Sequence, residues 1–133
     1  MGGGALRVLL DTHALLWWLT GDTRLSDHVR RIVEDDMNEV FVSAASAWEI
    51  CTKFRLGKLP NASEVALNVA GCLTSQGFRP LDIEVADAQR AGLLESHHRD
   101  PFDRMIAAQA IARDLPVASI DVALEQLGAR RIW

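Results

Sequence analysis

A three-layer α/β/α domain around a mainly parallel sheet is the fold class that the sequence predicts, on three observations. Residues 6–10 and 116–120 are short, almost continuous apolar runs of the kind that form strands covered on both faces. Helical stretches of ten or more residues separate the strand candidates, which is the spacing of parallel strands joined by crossover helices. Both runs also stop at an aspartate, Asp11 and Asp121, and open α/β sheets collect their ligands beyond the carboxyl ends of the strands.

The first strand, residues 6–10, leads into a helix over 13–19, where Leu15, Leu16, Trp18 and Leu19 recur at helical spacing. Asp11 or Thr12 caps its start and Gly21 ends it. Ser26 opens a helix to residue 35 with Val29, Ile32 and Val33 as its buried stripe and Arg30 and Arg31 outward. A strand over 39–42 precedes Ser43, which caps a helix over 44–56 closed by Gly57, and Glu49 falls in the second turn of that helix. Pro60 and Asn61 separate it from a helix over 63–75, with Val65, Leu67, Val69 and Leu73 inward and Gly77 after its end. Residues 78–83 read as an edge segment weakened by Pro80, and 85–95 as a further helix. After the strand over 116–120 come a short helix over 122–127, Gly128 as its C-cap, and a terminal strand or tail at 131–133.

The strongest helix start is His98-Arg99-Asp100-Pro101-Phe102-Asp103-Arg104, which opens a helix ending near Asp114. Asp100 suits the N-cap, Pro101 suits the first helical position because its missing N–H is no loss there, and Asp103 lies near the positive end of the helix dipole. The same features point a carboxylate out of a helix N-terminus towards a cation.

Composition bounds the function. The chain has 133 residues, 49% of them apolar and 24% charged, which is the make-up of one soluble globular domain with a real core. No apolar run approaches the ~20 residues needed to span a bilayer, so no membrane role is expected. Residues 1–5, with three glycines, read as a flexible lead-in, and residues 6–133 as a single domain. The start has no basic segment of an export signal, and a cytoplasmic location is expected. Cys51 and Cys72 lack any metal-binding spacing and read as reduced, buried thiols. The formal charge of −4 excludes a protein that coats nucleic acid non-specifically and confines any such contact to part of the surface.

If the fold is right, Asp11 and Asp121 share one edge, and Glu49 and Asp103, in early helical turns, can face the same crevice. Each acid alone reads equally as a cap or a solvated surface group. Together they form a like-charge cluster that a cation would neutralise, and carboxylates without Cys or His are hard ligands suited to Mg2+ or Mn2+. Such ions act on phosphates, lowering the pKa of a bound water and stabilising the leaving oxygen, so hydrolysis is the implied reaction.

Three blocks carry a resemblance: Leu9-Leu10-Asp11-Thr12-His13-Ala14-Leu15-Leu16-Trp17-Trp18-Leu19; then Ser46-Ala47-Trp48-Glu49-Ile50 with Lys53 and Gly57-Lys58-Leu59; then Asp100-Pro101-Phe102-Asp103-Arg104. In content and order they resemble the PIN-domain ribonucleases and, among these, the VapC-type toxins of bacterial toxin–antitoxin pairs. The resemblance covers nearly the whole chain. It implies a PIN-like fold and a metal-dependent endoribonuclease whose divalent metal is held by acids matching Asp11, Glu49, Asp103 and Asp121. It further implies an RNA substrate, a small antitoxin as partner, and a homodimer. Ser119-Ile120-Asp121 departs from the family pattern, which more often has threonine two residues before the acid; Ser119 can supply that hydroxyl.

Arg99 and Arg104 flank the acids and are candidates for RNA phosphate contact, or for pairing with Asp100 or Asp103. Asp100, Ser119 and Thr12 are expected as caps or as support behind the site. His13 reads as a solvated helix-start residue outside catalysis. Trp17, Trp18 and Trp48 read as core or interface before base-stacking residues, with one of the Trp17-Trp18 pair assigned to an interface because adjacent helix residues face different ways. Two other classes remain open on the residues alone. One is a Mg-binding phospho-accepting or phosphatase-like domain, whose adjacent acids or Asp-x-Asp are missing here; the other is an inactive PIN-like binding module.

Overall fold

The computed structural model describes residues 5–133, so all of the expected lead-in but Ala5 lies outside the described residues. Five strands form one all-parallel sheet: β1 (Arg7–Leu10), β2 (Glu39–Ser43), β3 (Arg79–Leu81), β4 (Val117–Ala118) and β5 (Arg131–Ile132), in the order β3-β2-β1-β4-β5. The chain reverses its direction of travel across the sheet between β1 and β4, and the crevice beyond their carboxyl ends is where such folds bind ligands.

The helices are α1 (Thr12–Thr20), α2 (Asp27–Glu34), α3 (Ala44–Arg55), α4 (Ser63–Ala66), α5 (Val69–Gln76), α6 (Val85–Leu93), α7 (Pro101–Arg113) and α8 (Ala123–Gln126). Strand alternation divides the core in two. Val8 and Leu10, with Val40, Val42 and Ala118, pack against α1, α2 and α5. Leu9, Phe41 and Val117 turn the other way, onto Ile106, Ala107 and Ala110 of α7 and Leu124 of α8. Helices therefore cover both faces, as the apolar strand runs require.

Several expectations need correction. The single helix over 63–75 is two, because Asn68 sits outside helical backbone (φ −155°) and its side chain accepts from the Gly71 N–H at 3.2 Å, starting α5 afresh. The break leaves Leu67 exposed at 78%, not inward. β4 ends at Ala118 instead of residue 120, so Ile120 is 52% exposed and Asp121 lies in a loop beyond the strand. α6 stops at Leu93, two residues early. Pro80 is tolerated because β3 is an edge strand.

The tryptophans also fall differently. Trp17 is buried against Trp133 and beneath Arg24, and Trp18 packs on Phe78 while its Nε1 donates to Gln76 at 2.8 Å. Trp17 thus belongs to the core, Trp18 is half-buried, and Trp48, at 59%, is the most exposed of the three. Cys51 is exposed and Cys72 half-buried, both as free thiols, so the expected burial does not hold for Cys51.

Candidate functional site

Four elements bring acids to one edge of the sheet. Asp11 directly follows β1 and is the N-cap of α1, its Oδ1 accepting from the Ala14 N–H at 2.8 Å. Of the two cap candidates it takes the role, because the Thr12 hydroxyl is engaged elsewhere. Glu49 lies on α3, which begins where β2 ends. Asp103 lies at the third position of α7; that helix runs back towards β4, so its N-terminus stands at the carboxyl edge of the sheet. Asp121 hangs in the loop after β4, accepting from the Ala123 N–H at 2.9 Å.

The acids sit in unequal environments. Asp11 is 5% exposed, and burial pushes its carboxyl up to about 6, with a small addition from Asp103; hydrogen bonds from Ser119 and the Ala14 N–H and the charge of His13 oppose the rise. Asp103 is also raised, first by burial and then by the charges of Asp100, Glu49 and Asp121, while its bond to His98 pulls it down. Asp103 is thus the acid at which the others meet: it adds to the rise of Asp11 and is itself raised by Glu49 and Asp121. Glu49 is buried and compensated: Lys53 pairs with one oxygen, and the Thr12 hydroxyl, itself 3.0 Å from Ser46 Oγ, bonds the other. Asp121 is exposed.

Among the described residues, no trio of Asp, Glu, His or Cys side chains is already drawn together at metal-binding distance. Two of the acids face donors of their own, Glu49 pairing with Lys53 and Asp103 with His98 Nε2 at 2.9 Å. The donor set still suits a hard divalent cation, because it is all carboxylate and includes one buried acid, Asp11, without an ion-pair partner among the described residues. Asp11, Asp103 and Asp121 could hold such an ion directly, and Glu49 could join after parting from Lys53.

The supporting residues separate into those as expected and those not. Asp100 caps α7, accepting from the N–H groups of Phe102 (2.9 Å) and Asp103 (3.2 Å). Ser119 accepts from the Asp121 N–H at 3.0 Å and supports Asp11, so it braces two acids. Thr12 supports Glu49. Arg104 is a correction: its guanidinium donates to the carbonyls of Ala91, Gly92, Leu94, Ser96 and His98, clamping the end of α6 and the following loop, and it has no free donor face for a phosphate. Arg99 is exposed, with no carboxylate partner among the described residues. The pairing of His98 with Asp103 has no signature in the sequence, since a loop histidine five residues before an acid meets it only through the turn at Asp100-Pro101. Lys53 was legible as four residues after Glu49 on one helix face.

Comparison with known proteins agrees with this architecture. The PIN domain family profile matches residues 8–129. A 60-residue stretch is 42% identical to ribonuclease VapC16 of Mycobacterium tuberculosis, an alignment that covers 45% of this chain and 43% of that protein. Among solved structures, VapBC2 from Rickettsia felis, bound to a DNA fragment from its promoter, superposes with a TM-score of 0.70 at 13% identity over 96% of this chain and 99% of that one. FitAcB from Neisseria gonorrhoeae gives 0.68 at 22% over 95% and 96%. VapC20 of Mycobacterium tuberculosis, a toxin that cleaves the sarcin–ricin loop, gives 0.69 at 16% over 92% and 95%. At such identities these likenesses speak for the fold, and the profile match over nearly the whole chain speaks for descent. With its parallel sheet, its helices on both faces and its acids at the carboxyl edge, the chain belongs to the PIN domain family.

Proposed function

We propose that this protein is a metal-dependent endoribonuclease, hydrolysing RNA phosphodiester bonds as the toxin of a toxin–antitoxin pair. Asp11, Asp103, Asp121 and Glu49 would hold Mg2+, with Mn2+ as a substitute. The observation that carries this reading is the convergence of four acids at the carboxyl edge of a PIN sheet, with Asp103 coupled to each of the other three and Asp11 buried deeply enough to be pushed up to about 6. A cation held there supplies a water of lowered pKa and a Lewis acid for the scissile phosphate.

The chain's own residues prepare that site. The α1 cap fixes Asp11, and Ser119 ties it to the loop of Asp121. The Asp100 cap and His98 orient Asp103. Lys53 and Thr12 hold the side chain of Glu49 in place. Arg99, which is exposed, would be free to meet phosphate.

The partners follow from the relatives: several structural neighbours are VapBC and FitAB toxin–antitoxin complexes, which supports a small antitoxin, and a homodimer accompanies that reading. Among the described residues no helix is long and apolar enough to cross a membrane, in keeping with the cytoplasmic location proposed here. The purified protein should cleave single-stranded or looped RNA in Mg2+ or Mn2+ and stop in EDTA. Undiminished cleavage in chelator, or cleavage restored by Ca2+ alone, refutes the metal site. Labelling by acetyl phosphate without RNA cleavage would favour the phospho-accepting alternative.

A further inference from the structure

The seam between α3 and α7 carries two kinds of side chain on neighbouring residues. The charge of Glu49 acts on Asp103 across it, and one residue before each of them stand Trp48 and Phe102. Those two rings meet edge to face at 4.7 Å between centroids, so Phe102 holds the indole of Trp48 at a fixed angle. Trp48 is nevertheless 59% exposed, a costly arrangement for an indole with no further packing role. Beside it opens a cleft of 170 Å³ lined by Trp48, Met105, Ile83, Pro101 and one cationic residue, Arg104. No acid lines it.

We propose that Trp48, steadied by Phe102, is a stacking platform for an unpaired base of the RNA next to the phosphate that is cut. The proposal rests on the ribonuclease reading above. Trp48 and Phe102 meet across the same α3–α7 seam at which Asp103 and Glu49 are coupled, so a phosphate at those acids brings its flanking nucleotides to the aromatic pair. A flat, rigid, apolar face beside a guanidinium suits a nucleobase, whose π-face stacks on aromatics irrespective of sequence. Base-paired RNA cannot offer that face, so the subsite selects single-stranded or looped segments.

The test is fluorescence anisotropy of a fluorescein-labelled single-stranded 12-mer RNA in Ca2+, with wild type, Trp48→Ala and Trp48→Phe, beside the same 12-mer carrying abasic positions. Cleavage of RNA in Mg2+ is followed in parallel. Trp48→Ala should weaken binding of the intact RNA about tenfold, Trp48→Phe by about two- to threefold, and neither should change binding of the abasic strand. Both variants should keep the wild-type melting temperature, because the indole is mostly exposed. If Trp48→Ala cleaves and binds intact RNA like wild type, the platform is refuted while the ribonuclease reading stands. If Trp48→Ala instead alters only the oligomeric state in light scattering, the face belongs to a protein contact and the proposal is equally refuted. If wild type neither binds nor cleaves RNA, both fall.

Discussion

Asp87→Asn should remove about 2 kcal/mol of folding stability at neutral pH and almost none near pH 2. Asp87, on α6, is buried, and both its oxygens accept from the Arg113 guanidinium of α7, at 2.9 and 3.0 Å. It also accepts from the Glu84 N–H at 3.0 Å and from Gln109 Nε2 at 3.3 Å. The Arg113 bonds, first among these, hold its carboxyl down at about 2 from the ordinary 3.8, against the cost of burial. That drop corresponds to about 2 kcal/mol, at about 1.4 kcal/mol for each tenfold change in proton affinity. The sign follows from linkage: a carboxyl with a depressed folded-state pKa contributes its full stabilisation above about pH 4, and the contribution is lost as pH falls towards 2. Asparagine keeps the shape but leaves Arg113 without its counter-charge. Urea unfolding followed by tryptophan fluorescence, for wild type and Asp87→Asn between pH 2.5 and 7, reads the difference directly. A gap under about 0.5 kcal/mol at pH 7, or one that does not narrow on acidification, would show that the pair does not fasten α7 to α6 as argued. The pair bears on function because α7 carries Asp103.

Three further outcomes test the site. Asp100→Asn should leave stability and cleavage close to wild type, since asparagine caps a helix as well as aspartate, whereas Asp103→Asn should abolish most cleavage and the Mg2+-dependent rise in melting temperature; wild type should gain about 2.7 kcal/mol at a hundredfold excess of Mg2+ over its Kd. Asp11→Asn should be inactive yet more stable than wild type in EDTA at pH 7.5, by up to about 3 kcal/mol, because a carboxyl raised from 3.8 to about 6 costs stability as pH rises through that window; the advantage should vanish by pH 4. Arg104→Lys should lower the melting temperature by the equivalent of about 2 kcal/mol, one ammonium being unable to span five carbonyls, without changing the salt dependence of RNA binding; a smaller salt slope would return Arg104 to phosphate contact.

The sequence by itself determined the parallel α/β architecture, because the central strands β1, β2 and β4 are too apolar for a solvated face and each crossover carries its own local signals. Ser26 and Ser43 cap where they were expected, and Gly21 and Gly77 end their helices with φ of 67° and 73°, where other residues are strained. It likewise placed Asp11 after a strand and Asp103 on a capped helix start, since strand ends and caps are written within a few residues. What only the tertiary structure decided depends on groups distant in the chain. Arg104 beside two acids reads as a phosphate contact until the end of α6 presents it with five carbonyls. Trp48 reads as core or interface alike until α7 meets it with a single ring and leaves its face bare. Asp11 and Glu49 look alike as carboxylates, but the fold buries the first with no ion-pair partner among the described residues, which raises it, and sets Lys53 and Thr12 on the second. Local propensity is short-ranged and additive, whereas desolvation and charge depend on everything that packs around a group, so the framework was legible residue by residue and the state of each acid was not.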